Sequence, residues 1–236
     1  MMPASMFSRE LLVTVARPRA LLIKVCVPLI LTVPLVAGHA PTFWAAMLLA
    51  VLCAMIGTVG AAVGIARARE SGLLPRLALV PKPAWRVVGG WAAGSALVDA
   101  VQLAPAIAVL LVIAPVTVGA GLALVCDVVA VLLLANALGC AVAAVGAGPG
   151  EVLLDTTVLL APLLFLGGLF TGVPRAGWRW VAATIDPFSY LHAAFIGALG
   201  GDPAFGAMSV VLAALITAAG AAALVAVVSP AVLRAR

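Results

Sequence analysis

Six long apolar runs, at residues 21–38, 43–66, 90–114, 118–146, 152–172 and 206–229, take up most of this chain. A helix of about 20 apolar residues crosses the hydrocarbon core of a bilayer, and a helix satisfies its own backbone N–H and C=O groups where no water is present. Charged residues make up 9% of the 236 and hydrophobic residues 66%, whereas soluble domains run at about a quarter charged. The expected fold is therefore an all-α polytopic membrane protein, a single transmembrane domain over 1–236 with six transmembrane helices. The fourth run is longer than one crossing needs, so it is expected to tilt or kink. The Gly- and Pro-rich stretch 146–150 that ends it reads as a flexible turn.

Orientation follows from the thirteen basic residues. Arg9, Arg17, Arg19 and Lys24 precede or open the first run, and Arg67, Arg69, Arg76, Lys82 and Arg86 fall between the second and third. Arg234 and Arg236 close the chain, which puts eleven on one side and leaves Arg175 and Arg179 on the other. Lys and Arg accumulate in short cytoplasmic loops, so both termini are expected in the cytoplasm, as an even number of spans requires. The net charge of +5 is explained by this bias, and no nucleic-acid partner is expected. The N-terminal run could be taken for a signal peptide, but Lys24, Pro28 and Pro34 interrupt its apolar core. Residues 5–18 read better as an interfacial helix. Cys26, Cys53, Cys126 and Cys140 lie within apolar runs without a C-x-x-C pair, the pattern of small buried thiols.

Two segments outside the runs carry structure of their own. The stretch 67–86 holds five basic residues and an apolar stripe, Leu73, Leu77 and Val80, at helical spacing, so a short amphipathic helix is expected there. On the opposite side, 173–205 has Trp178, Trp180 and Tyr190, rings suited to headgroup level. Asp186 and Pro187 break it in two, and Gly200 to Pro203 ends the second piece. Two short helices that dip into or lie on the outer leaflet are expected, with a plain surface hairpin as the alternative.

The chain lacks a phosphate-binding G-x-x-x-x-G-K-[ST] loop and the G-x-S-x-G and H-E-x-x-H signatures. His39 and His192 have no Cys or carboxylate at ligand spacing, so no metal and no catalytic residue are expected. Ionisable and polar residues within spans are candidates for function because they are costly there: Asp99 and Gln102 in the third, Asp127 toward the outer part of the fourth, Asp155 with Glu151 near the start of the fifth. Depth argues against a direct Asp99–Asp127 pair. Gly57, Gly60, Gly64, Gly90 and Gly94 allow close helix approach, within the chain or at a dimer seam.

Three segments resemble the permease subunits of ABC-2 type exporters. Their "R-E-x-G-T-L" loop is matched by Arg69, Glu70, Gly72, Leu73 and Leu74, followed by Leu77 and Pro81-Lys82-Pro83. Their "P-L-(apolar)-G-x-F-P" run is matched by Pro162 and Leu163 through Gly168 and Phe170. Their "W…W…N-P-x-x-Y" appears as Trp178, Trp180, Asp186, Pro187 and Tyr190. Leu73 stands for the usual Thr and Asp186 for Asn. Pro75 interrupts the loop helix, which is therefore expected to begin near Leu73 or Leu74, with Pro75 in its first turn. The resemblance implies a coupling helix within Arg69–Pro81 that docks on an ATPase subunit through Leu73, Leu74, Leu77 and Val80, with Glu70 and Arg76 at the rim. It implies that ATP and Mg are bound by that separate nucleotide-binding subunit, and that a second permease, identical or homologous, completes a pathway along spans one, two and five. Asp99, Gln102 and Asp155 are the candidate pathway residues. The expected cargo is a hydrophobic or amphiphilic compound leaving across the cytoplasmic membrane, a drug or antibiotic of the daunorubicin or fluoroquinolone type first. A lipid, a glycan carrier or haem, or an ion-coupled secondary transporter, are the alternatives.

Overall fold

The computed structural model describes residues 6–16, 18–112, 116–146, 148–168 and 170–234. Arg17, Arg236, Leu169, Ala147 and the end of the third run at 113–114 lie outside them. The described residues form ten helices: α1 (Met6–Val15), α2 (Pro18–Ala37), α3 (Thr42–Glu70), α4 (Leu73–Ala78), α5 (Ala84–Leu111), α6 (Val118–Val145), α7 (Pro149–Leu166), α8 (Trp178–Ile185), α9 (Pro187–Ala198) and α10 (Ala207–Arg234). Among them α3, α5, α6, α7 and α10 are long and apolar enough to cross a membrane, while the apolar part of α2 over Leu21–Ala37 is shorter. The first of the six expected spans is thus the weakest by length, with Pro28 and Pro34 inside it.

At 1.5 Å rise per residue the 28 residues of α6 reach about 42 Å. They exceed the roughly 30 Å hydrocarbon core, and α3, α5 and α10 are of similar length. Helix starts follow local chemistry. The Thr117 hydroxyl accepts from Ala120 N at 3.3 Å to cap α6, and Pro149 opens α7, where its missing N–H has no intrahelical partner anyway.

The bundle is held by small residues where helices cross. A Cβ added at Gly57 of α3 would lie 2.7 Å from Ala135 Cβ of α6, and one at Gly139 of α6 would lie 2.9 Å from Ala61 Cβ. These helices therefore touch backbone to backbone, the contact that glycine permits in lipid. Two buried clusters stack along the axis. One is built around Leu49, Leu103, Leu132, Phe188, Leu191 and Phe195; the other, at the end where α3 leaves the bundle, around Ile65, Leu74, Trp91, Cys140, Val152 and Val225. Large apolar side chains such as Ile30, Val101, Leu122, Val158, Leu215 and Val227 stand exposed on the outside, as lipid contact allows. All four cysteines are free thiols, Cys53 and Cys140 fully within the core.

Candidate functional site

The basic end of the bundle is assembled from α1, the end of α3, α4 and the start of α5. Gly72 sits at φ 69°, a left-handed turn that reverses the chain between α3 and α4. As expected for a helix carrying Pro75 in its first turn, α4 begins at Leu73. A six-residue helix has little stability of its own, so it must bury its apolar face, and that face turns inward. Leu74 is fully buried in the cluster with Ile65 and Trp91, and Leu73 and Leu77 pack half-buried against it. Of the four apolar residues expected to dock on a partner, Leu74 is therefore committed to the chain's own core. The outward surface is Arg76, Leu79 at 85% exposure and Val80 at 37%, followed by Trp85 with the Arg86 guanidinium 5.2 Å over its ring. Leu79 escaped sequence reasoning because periodicity says which side chains share a face, not which neighbour covers it.

Arg69 belongs to the last turn of α3 and points into the chain. Its guanidinium donates to the carbonyl of Gly146 at 2.5 Å and to that of Ala143. Those carbonyls belong to the last turn of α6 and its cap, where no intrahelical N–H reaches them and where a cation is favoured. Glu70 is exposed. Asp155 of α7 lies at the same turn, its Oδ2 against Gly146.

Beside α4 a cavity of about 660 Å³ opens between α1, α2, α3 and α5. Helix α1 rests on α5 at Gly94, where an added Cβ would lie 3.2 Å from Glu10 Cβ and 3.3 Å from Phe7 Cα. Arg9, Glu10, Lys24, Arg67 and Asp99 line the cavity. Arg9 and Glu10 pair at 3.0 Å, while burial raises the Glu10 carboxyl above its ordinary range against the opposing effect of Arg9 and Lys24. Asp99 is 5% exposed and its Oδ2 accepts from Asn136 Nδ2 at 3.0 Å; the same amide donates to the Leu132 carbonyl at 2.9 Å. Asn136 gave no signal in the sequence, since its match to Asp99 spans two helices. Gln102 and Asp127 are fully buried away from the cavity, without a hydrogen-bond partner among the described residues. Of the three candidate pathway residues, Asp99 alone lines this space.

At the opposite end the expected pair of helices is present. Asp186 ends α8 and caps α9, its Oδ1 accepting from Phe188 N at 3.0 Å, with Pro187 as the first helical residue. Its Oδ2 has no partner among the described residues, and burial pushes the carboxyl up to about 7. Helix α9 is enclosed by the bundle, with Phe188, Leu191 and Phe195 fully buried. Trp178 stands 72% exposed, as an interfacial ring would. Trp180 and Tyr190 instead stack on Phe205, with centroids at 5.2 and 4.2 Å, and the Tyr190 hydroxyl donates to the Thr184 carbonyl at 3.0 Å. Two of the three rings read as a headgroup belt thus lock the hairpin, with Phe205 as the unforeseen member.

No curated protein and no solved structure is significantly similar to the chain. The family model described as ABC-2 type transporter matches residues 4–199, from just before α1 through the end of α9. That match covers most of the chain and takes in the α3–α5 loop and the capped α8–α9 hairpin alike, so this multi-pass membrane protein belongs to the ABC-2 type transporter family.

Proposed function

We propose that residues 1–236 act as one transmembrane domain, the permease half of an exporter that moves a hydrophobic or amphiphilic compound, a drug or antibiotic foremost, out across the cytoplasmic membrane. Permeases of this family work with ATP-binding subunits. ATP and Mg are bound there and the ATP is hydrolysed there, and this chain receives motion. The observation that carries the reading is the anchoring of α4. Leu74 sits in the core, Arg69 grips the end of α6, and Arg76, Leu79 and Val80 face outward. A push on that outward surface is transmitted to α3, α5 and α6 as one body, because the buried contacts are close-packed. A second permease, identical or homologous, completes the pathway, and both termini lie in the cytoplasm.

The test is co-expression with a cognate ATPase subunit, followed by purification and reconstitution. An ATPase retained on the permease, with Mg-ATP-dependent movement of a fluorescent amphiphile across the vesicle membrane, is the expected result. Movement at full rate by the permease alone, without nucleotide, would overturn the reading.

A further inference from the structure

We propose that the cavity between α1, α2, α3 and α5 binds an amphiphile whose headgroup carries a phosphate or similar anion, held by Lys24 and Arg67, with its apolar part along α2 and α3. The inference rests on the export reading only for placing the cavity on the cytoplasmic side.

Its size, about 660 Å³, falls within the 300–1,000 Å³ typical of small-molecule sites. The charges decide what fits. Three cations and two carboxylates line it, but the Arg9 and Glu10 charges neutralise each other at 3.0 Å, and Asp99 is nearly buried with Oδ2 already accepting from Asn136. Lys24 and Arg67 are exposed and take no part in the two ion pairs among the described residues. Lys24 also feels the Glu10 and Asp99 carboxylates across the space, but three cations against two carboxylates leave the lining with a positive excess, and an anionic head complements it.

The walls suit a hydrocarbon tail. Val13, Leu21, Val59 and Val63 line the cavity, and a Cβ added at Gly60 would meet nothing within 4 Å, so α3 offers a smooth, open face. Leu22 and Ile23 on the neighbouring turn of α2 are 64% and 63% exposed, so the cavity adjoins the lipid-facing surface. Anionic lipids are attracted to basic clusters at this level of the cytoplasmic leaflet. An amphiphile reaches the site sideways from the membrane.

The experiment uses the permease with its ATPase subunit in phosphatidylcholine nanodiscs. Phosphatidic acid with a diazirine in its acyl chain is added and irradiated, and labelled peptides are mapped. Phosphatidylcholine and a trimethylammonium amphiphile with the same chain serve as controls. Phosphatidic acid is expected to label the segments around Leu21 and Val59–Val63 far above both controls. Each basic residue near a membrane surface contributes about 1 kcal/mol to anion attraction, about 5-fold in binding, so Lys24→Gln with Arg67→Gln should reduce labelling by about 25-fold. The charge-preserving pair Lys24→Arg and Arg67→Lys should retain it. Equal labelling of wild type by all three probes, or wild-type labelling of the neutral pair, overturns the proposal. The comparison of probes on wild type needs no variant to fold. Adding Mg-ATP separates two sources of the same chemistry: label lost on turnover marks exported cargo, and label that persists marks a resident lipid. The labelling itself needs no nucleotide, so its failure leaves the export reading standing, and a missing ATPase partner leaves the labelling standing.

Discussion

Replacing Leu74 by Ala should uncouple the loop between α3 and α5 without disturbing the rest of the bundle. Leu74 is 0% exposed and is the buried anchor of α4. Leu→Ala removes the equivalent of three buried carbon groups, at about 0.8 kcal/mol each. With the cavity left behind, the cost is about 3 kcal/mol. A six-residue helix has no internal reserve against such a loss, so the population in which α4 is undocked should rise about 100-fold. Hydrogen–deuterium exchange of the 73–79 amides in the purified complex reads that directly, and transport per ATP hydrolysed reads its consequence. Leu79→Asp is the counterpart. At 85% exposure it changes the permease's own stability by no more than about 0.5 kcal/mol, leaves exchange at 73–79 unchanged, and abolishes export by spoiling the outward surface. Unchanged exchange in Leu74→Ala, or full export by Leu79→Asp, would refute the division of α4 into an anchoring face and a docking face.

Two more outcomes follow from side chains at the bundle ends. Arg69→Ala strands the carbonyls of Ala143 and Gly146, at a cost of about 1–3 kcal/mol, and should lower the detergent melting temperature; Arg69→Lys should rescue only in part, because an ammonium cannot fork between two acceptors. Asp186, raised by burial from 3.8 to about 7, keeps its proton in the folded protein over a range where the unfolded chain has lost it, so stability falls as pH rises from about 4 to about 7. Asp186→Asn keeps the cap on α9 and removes that dependence, so the variant should melt higher than wild type at pH 8 and equally at pH 4; a wild-type melting temperature that is flat across this window refutes the assignment.

Composition and charge asymmetry already dictated a helical membrane protein, because lipid leaves the backbone no other way to satisfy its polar groups and because basic residues sort to one side. Local chemistry did as well: the start of α4 at Leu73 and the break at Asp186 and Pro187 were legible, since caps and prolines act within one turn. The direction in which α4 faces was settled only by packing. Of the residues that read as a docking surface, Leu74 is taken up by the chain's own core against Ile65 and Trp91, Leu73 and Leu77 are half-buried beside it, and Val80 stays exposed. Likewise Asn136 on Asp99, Arg69 on the end of α6, and Phe205 between Trp180 and Tyr190 join residues distant in sequence. Such pairings depend on how helices of similar apolar character cross one another, and that is fixed by where glycines such as Gly57 and Gly139 let two backbones meet.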